Sequence, residues 1–367
     1  MGPPLSTRAL GRALLDRQLL LRRADLPVVT AVERVFGLNA QGPNQPYVAL
    51  WSRLDSFTIA GLTAAIEDRS LVRSTMMRAT QHLMSVPDFR FVRPVLAPLL
   101  RRVRRNTFGR RTAGVDLDAL VEEARELLDG RVVTRPQLGR LLARRRPDAD
   151  PTALGWSVQY LEPLVHPAPS GTWNVYGPTP FARADWTGVR PEATAEDVRR
   201  MVRRYLAAFG PASTSDARVW SGVGGLREVF EQLRPELRVY TDESGRELFD
   251  LPDRPIPAAD LPAPVRLLPE FDATLLAHAD RGRIMTDEIR RQVCVGDAIA
   301  ATVLVDGTVA ATWTTSHDDG AAILTVRPLR PLRSWSPADR DAVEAEAARL
   351  LAFTHPDAVG HDVRLAG

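Results

Sequence analysis

The residues whose types and spacing point most directly to chemistry are two amides, Asn39 and Gln41, separated by Ala40. They lie where a helical pattern gives way to LNAQGPNQP, a stretch too rich in Asn, Gln, Gly and Pro to be a helix interior. In extended backbone, residues two apart point to the same side. Each carboxamide offers a carbonyl acceptor and two N–H donors. Together they can hold one water, or one sugar or phosphate oxygen, between them. On spacing alone the plainer reading also stands: they cap the preceding helix and tie the loop together.

A second group follows. LVRSTMMRATQHLMSV reads as a strand, because Thr, Val and alternating polar residues suit a pleat. On it Arg73, Arg78, Thr80 and His82 alternate with less polar neighbours and can present donors to phosphates. The alternative is a half-buried wing in which His82 is structural. Beyond it lies the basic run RRVRRNTFGRR. Arg101, Arg104 and Arg105 are its candidate phosphate contacts, since a guanidinium binds phosphate in bidentate fashion.

Other chemistries lack their residues. There is no HExxH, and a single cysteine, Cys294, excludes an internal disulfide and a cysteine-based zinc site. The chain has no lysine, so its 48 basic residues are all arginine. A P-loop and a lysine Schiff base are therefore impossible. GxGxxG and GxSxG are also missing. No metal and no cofactor are expected.

At 367 residues the chain has room for two to three domains. With 44% hydrophobic and 25% charged residues it can bury a core and is not a disordered chain. No stretch approaches the roughly 18–20 apolar residues of a membrane span. Charges interrupt the first segment, which reads as no signal peptide. A reducing cytoplasm fits the lone cysteine. The net charge of +3 conceals an asymmetry: residues 1–111 hold 18 arginines against 7 acidic residues, and the remainder 30 against 38. A basic amino-terminal third suggests a polyanionic partner.

The elements that must position these residues form three similar cycles. In the first, helices are expected over Leu5–Leu21, Val28–Gly37, Tyr47–Phe57 and Thr58–Asp68, with Thr58 as N-cap. The strand just described and a helix over Asp88–Arg105 follow. The second has helices over Asp116–Leu128, from the Thr134 cap onward, and over Pro151–Leu164. HPAPSGTWNVYG then reads as a hairpin tipped by Ser170 and Gly171. The third has helices over Ala195–Phe209, Thr214–Ser221 and Leu226–Leu233, then a hairpin tipped by DESG. Helix, helix, helix and two-stranded wing is the winged helix-turn-helix plan. A Pro-rich linker leads to a β-rich region over 264–332 and a last helix over Ser336–Phe353. The expected fold is α+β: tandem winged helix-turn-helix units followed by a small β-rich, partial-barrel domain. The expected divisions are 1–111 with the catalytic loop, 112–180, 181–255 and 256–367.

Three segments resemble a bacterial winged-helix family of DNA glycosylases. GLNAQGPNQPYVALWSRLDSF resembles its GLQAQ…ALWARL segment. SLVRSTMMRATQHLMSVPDF resembles its RxxxMRGTxHL strand, and VRLLPEFDATLLAHADRGRI its LLPx[FY]D segment. The matches come in order from Leu5 to about Trp313. The family's signature is Gln-apolar-Gln, or Gln-apolar-Asp in one branch. Here Asn39 stands one methylene short of the first glutamine, while Gln41 matches the last. The resemblance makes both catalytic, and with DNA as the polyanion the phosphate contacts read above from Arg73, Arg78, Thr80, His82, Arg101, Arg104 and Arg105 are expected to be DNA contacts.

The resemblance implies an enzyme that hydrolyses the N-glycosidic bond of cationic N-alkylated purines, including bulky N7 adducts or interstrand crosslinks. It would serve DNA repair or genotoxin self-resistance. Alkylation makes the base a good leaving group without protonation. The protein must then place a water near C1′ and stabilise an oxocarbenium ion, which oriented amide dipoles can do. Without lysine the action should be monofunctional. A crosslinked base cannot flip into a tight pocket, so a shallow basic groove is expected. A β-rich hairpin, with the VDG and SHDDG turns as candidates, would reach the minor groove. The partner is duplex DNA, with no membrane and a monomeric protein at the cytoplasmic nucleoid. The alternative is a winged-helix transcription regulator without catalysis.

Overall fold

A computed structural model describes residues 3–366. Helix α1 (Thr7–Arg17) opens the chain, capped by the Ser6 hydroxyl. The first winged unit is α2 (Val28–Arg34), β1 (Leu38–Asn39), α3 (Gln45–Trp51), α4 (Ile59–Glu67), β2 (Leu71–Thr75) and β3 (Gln81–Ser85). Thr58 caps α4 as its side chain suggests, its Oγ1 accepting from the Gly61 amide at 3.1 Å. The strands pair in the order β1-β3-β2. The single strand expected over 71–86 is thus a hairpin. It reverses at Met76–Thr80, where Arg78 and Ala79 take positive φ of 54° and 61°. The helix expected over Asp88–Arg105 is also divided, into α5 (Val86–Val95) and α6 (Ala97–Phe108). Pro94 and Pro98 each lack an amide hydrogen, so the helical ladder breaks around Leu96.

The second unit repeats the plan with α7 (Leu117–Leu127), β4 (Val133–Thr134), α8 (Arg135–Ala143), α9 (Pro151–Leu161), β5 (Leu164–Val165) and β6 (Pro180–Arg183). Its strand order, β4-β6-β5, is that of the first unit. A capping box between Thr134 and Gln137 starts α8. The segment expected as a hairpin, HPAPSGTWNVYG, is instead the loop between β5 and β6. In the third unit α10 (Ala195–Phe209), α11 (Thr214–Ser221), α12 (Leu226–Leu233), β7 (Arg238–Thr241) and β8 (Glu247–Asp250) match the expectation. Ala212 bridges Phe249, so a third strand position is present in rudiment.

The carboxy-terminal region contains β9 (Arg266–Leu268), α13 (Asp287–Val293), β10 (Cys294–Val295), β11 (Ala298–Ile299), β12 (Thr302–Val305), β13 (Thr308–Asp318), β14 (Ala321–Pro328), α14 (Pro337–Thr354) and β15 (Gly360–Leu365). Five strands form a sheet in the order β15-β14-β13-β12-β9. Only the β14–β15 pair is parallel. The sheet is open, not a closed barrel, and α14 packs on it. The VDG turn is docked inward: Asp306 binds Arg8 and Arg12 of α1. The short β10–β11 hairpin, unforeseen from sequence, leaves Val295 63% exposed.

One apolar core runs from Leu14 through Phe36, Phe91 and Trp220 to Val309, joining the first and third units to the carboxy-terminal region. The second unit has its own core around Leu138, Leu154 and Phe181. Two buried ion pairs cross between units. Arg17 grips Asp250 at 2.7 and 2.6 Å. Arg53, just past α3, grips Asp272, just past β9, with both contacts at 2.9 Å. Among the described residues no helix is long and apolar enough to cross a membrane.

Candidate active site

Strand β1 pairs with β3, which puts Asn39 opposite His82. The pairing continues one residue further, as the Ala40 amide donates to the Gln81 carbonyl at 2.9 Å. Asn39 is therefore a strand residue and not a cap for α2. Its side chain is buried at 5% exposure. Nδ2 donates to the Phe271 carbonyl at 2.6 Å, and Oδ1 accepts from Arg78 at 3.5 Å. Gln41 lies just beyond the strand and is exposed. The two carboxamides thus have opposite surroundings: one is held inside, the other faces solvent.

Arg73 fixes the loop that carries Gln41. Its Nε donates to the Ala40 carbonyl at 2.8 Å and its Nη2 to the Gln41 carbonyl at 3.2 Å. Nη1 reaches the Ser170 hydroxyl in the wing of the second unit at 3.2 Å. Gln45 closes the turn by accepting from the Gly42 amide at 3.0 Å. These grips are all on main-chain atoms of the loop, so Gln41 is aimed without its side chain being consumed.

The other sequence candidates divide into three kinds. Arg73, His82 and Arg104 are buried at 8%, 2% and 7% exposure. Their hydrogen-bonding groups serve internal partners, so the expected phosphate contacts are corrected to structural roles. Arg104, for instance, binds the hydroxyls of Ser157 and Thr112. Thr80 returns its hydroxyl to the Met77 carbonyl at 3.1 Å and closes the hairpin turn. Arg101 and Arg105 are exposed on α6, which packs behind that turn. Arg78 is intermediate: half-buried at the turn, it donates to the Trp220 carbonyl and to Asn39. Burial, with nearby Arg281 adding to it, lowers its pKa to about 10, so it stays charged at neutral pH. Among the described residues neither Arg73 nor Arg78 has a carboxylate partner in an ion pair. Two unneutralised guanidiniums behind the amides make this an electropositive place for phosphodiester.

His82 reports the state of the site. Nδ1 lies 3.1 Å from the Thr80 carbonyl, which can only accept, so Nδ1 carries the proton. Nε2 is left as an acceptor facing Arg78 at 3.4 Å. Burial and then the Arg78 charge push the pKa down to about 3, against the opposing Thr80 bond. The unfolded histidine takes up a proton below about pH 6.5, whereas the folded one stays neutral. Its contribution to stability is therefore complete above about pH 6.5 and is lost as pH falls toward 3, at up to about 1.4 kcal/mol per pH unit. Unfolding free energy measured from about pH 7 to pH 4 should decline more steeply for the wild type than for His82→Gln. Parallel declines would mean that the folded protein protonates His82 normally.

Sequence reasoning missed the partners supplied from far along the chain. The Phe271 carbonyl holds Asn39 from 232 residues away, and the next residue, Asp272, is anchored by Arg53. The available signal was the LLPEFD segment, which carried a resemblance but no role. A cleft of about 670 Å³ also opens beside the loop, lined by Gly42, Asn44, Gln45 and Glu270 among others.

Comparison with known proteins decides the family. A family model described as DNA glycosylase AlkZ-like matches residues 32–353. The chain belongs to the AlkZ-like DNA glycosylase family. The match takes in Asn39, Gln41 and the whole β2–β3 hairpin, and so confirms the expected winged-helix glycosylase resemblance. An interstrand DNA cross-link repair glycosylase from Streptomyces sahachiroi is 28% identical over 327 residues, covering 82% of this chain and 85% of that protein. The solved structure of Streptomyces sahachiroi DNA glycosylase AlkZ has a TM-score of 0.81 at 23% identity, covering 99% of this chain and 100% of that one. That likeness supports the tandem winged-helix plan with its β-rich end.

Proposed function

We propose that this AlkZ-like protein is a monofunctional DNA glycosylase that removes cationic N-alkylated purines, bulky N7 adducts and interstrand crosslinks included, in DNA repair. The observation that carries the reading is the exposed carboxamide of Gln41 on a loop fixed through its own backbone. Gln41 holds the hydrolytic water against C1′. Asn39, pinned between Arg78 and the Phe271 carbonyl, sets the strand end from which Gln41 projects. The cationic base leaves as a neutral molecule, so no general acid is needed. Arg73 and Arg78 give the site a positive potential, and Arg101 and Arg105 meet phosphates further along the duplex. The β10–β11 hairpin takes the place of the docked VDG turn at the minor groove. Its exposed Val295 is the apolar type that wedges between base steps. Arg281, which bonds Cys294 at 3.1 Å, links that hairpin to the Arg78 neighbourhood. The protein acts as a monomer on duplex DNA in the cytoplasm, at the nucleoid.

The test is a duplex containing N7-methylguanine. The protein should release the base and leave an abasic site that breaks only on alkaline treatment. Release of unmodified adenine would show that leaving-group activation is not the basis of catalysis. Borohydride should trap no covalent protein–DNA adduct, because no lysine exists to form one. A trapped adduct would point to an amino-terminal amine and to lyase action.

A further inference from the structure

The cleft beside the Gln41 loop has a composition unlike the rest of the molecule. In a chain with 48 arginines, none lines it. Its lining includes Trp173, Tyr176, Trp313, His317 and His355, and its one carboxylate is Glu270. Burial, more than the nearness of other imidazoles, holds His355 below the usual imidazole value. A surface of this kind offers a phosphodiester no arginine to bind. It suits a flat, electron-poor or cationic ring system, which stacks on aromatic faces and is attracted to their π-clouds.

The position of the cleft decides what that ring system belongs to. Gly42, Asn44 and Gln45 line it and directly follow Gln41. Glu270 precedes Phe271, whose carbonyl holds Asn39, and also accepts from Gln45 at 3.3 Å. At the other wall the wing of the second unit is tied down by a reciprocal pair: Asn44 donates to Asn174 at 2.7 Å and accepts from its amide at 2.8 Å. Tyr176, two residues on, is 71% exposed. The volume of about 670 Å³ is in the range that holds a drug-sized molecule, far more than a methyl group needs.

We infer that this cleft is a subsite for a planar aromatic substituent carried on the alkylated purine, which it grips while Gln41 faces the glycosidic bond. The inference rests on the proposed glycosylase reading and names the class of lesion that reading serves best. Tyr176 and His317, both exposed, supply faces that can be removed without opening the core.

Three duplexes test it, carrying N7-methylguanine, N7-(anthracen-9-ylmethyl)guanine or N7-(cyclohexylmethyl)guanine. Single-turnover release is measured with the wild type and with Tyr176→Ala/His317→Ala. The wild type should release the anthracenyl lesion about tenfold faster than the cyclohexyl one. The double variant should lose that advantage and keep the wild-type rate on N7-methylguanine. Equal release of the two bulky lesions by the wild type, or an equal loss on all three in the variant, overturns the subsite and leaves the glycosylase reading in place. No release of N7-methylguanine by the wild type overturns the glycosylase reading itself, and the subsite with it.

Discussion

Gln41→Ala lowers single-turnover release of N7-methylguanine by about 100- to 1000-fold, the usual cost of removing one preorganised polar group from a reacting centre. Duplex affinity stays within a few-fold and the fold is unaffected, because the side chain is exposed and the loop is held by Arg73 through main-chain carbonyls. This combination separates a catalytic residue from a binding one. If affinity falls in step with rate, Gln41 grips DNA and the water must be placed by another group. If neither changes, the hydrolytic role moves away from this loop. Asn39→Ala should behave differently. It strips a partner from the Phe271 carbonyl and from Arg78, so its rate loss comes with a stability loss that Gln41→Ala does not share.

Asp272→Ala destabilises the protein by about 3–5 kcal/mol, as expected when a buried pair loses one partner. Arg53 is 0% exposed and Asp272 3%, so the guanidinium left behind cannot recruit bulk water. Burial alone would raise the Asp272 pKa, but the Arg53 charge and the bonds from Arg53 and Thr274 outweigh it and hold the carboxyl below its usual range. Urea unfolding checks the prediction, and a loss below about 1 kcal/mol would mean that the pair lies in a wet environment. The double variant Arg53→Leu/Asp272→Leu should recover much of the loss, because packed apolar residues need no counter-charge. Activity offers a second readout. Phe271 adjoins Asp272 and holds Asn39, so Asp272→Ala should also slow base release by more than its effect on the folded fraction explains.

The third winged unit was legible in sequence because its punctuation is local. Thr194 and Ser213 form capping boxes with Asp197 and Asp216, Gly210 and Pro211 stop α10, and DESG turns the wing. The first unit hid its wing because the turn at Met76–Thr80 contains no Gly, Asn or Pro. Arg78 and Ala79 take positive φ there under tertiary constraint, and propensity rules carry no signal for that. Strands β10 and β15 were missed for a related reason, being set by pairing instead of by pattern. Charge misled in one respect. Six of the 18 arginines before residue 112, namely Arg12, Arg17, Arg53, Arg73, Arg93 and Arg104, are buried. With no lysine in the chain, arginine serves both the solvated surface and the interior, and composition cannot tell the two uses apart. The amide pair drew notice through its residue types, and its expected role came from the resemblance. The pair's split into an inner and an outer group was not legible, because Phe271 lies too far along the chain for any local rule.

Holding the loop by Arg73 on its carbonyls has an evolutionary corollary. Asn39 is buried and held by Phe271 and Arg78, whereas the side chain at 41 is not what keeps this backbone in place, so it can be exchanged while the architecture persists. Such a position can change its chemistry without passing through unfolded ancestors.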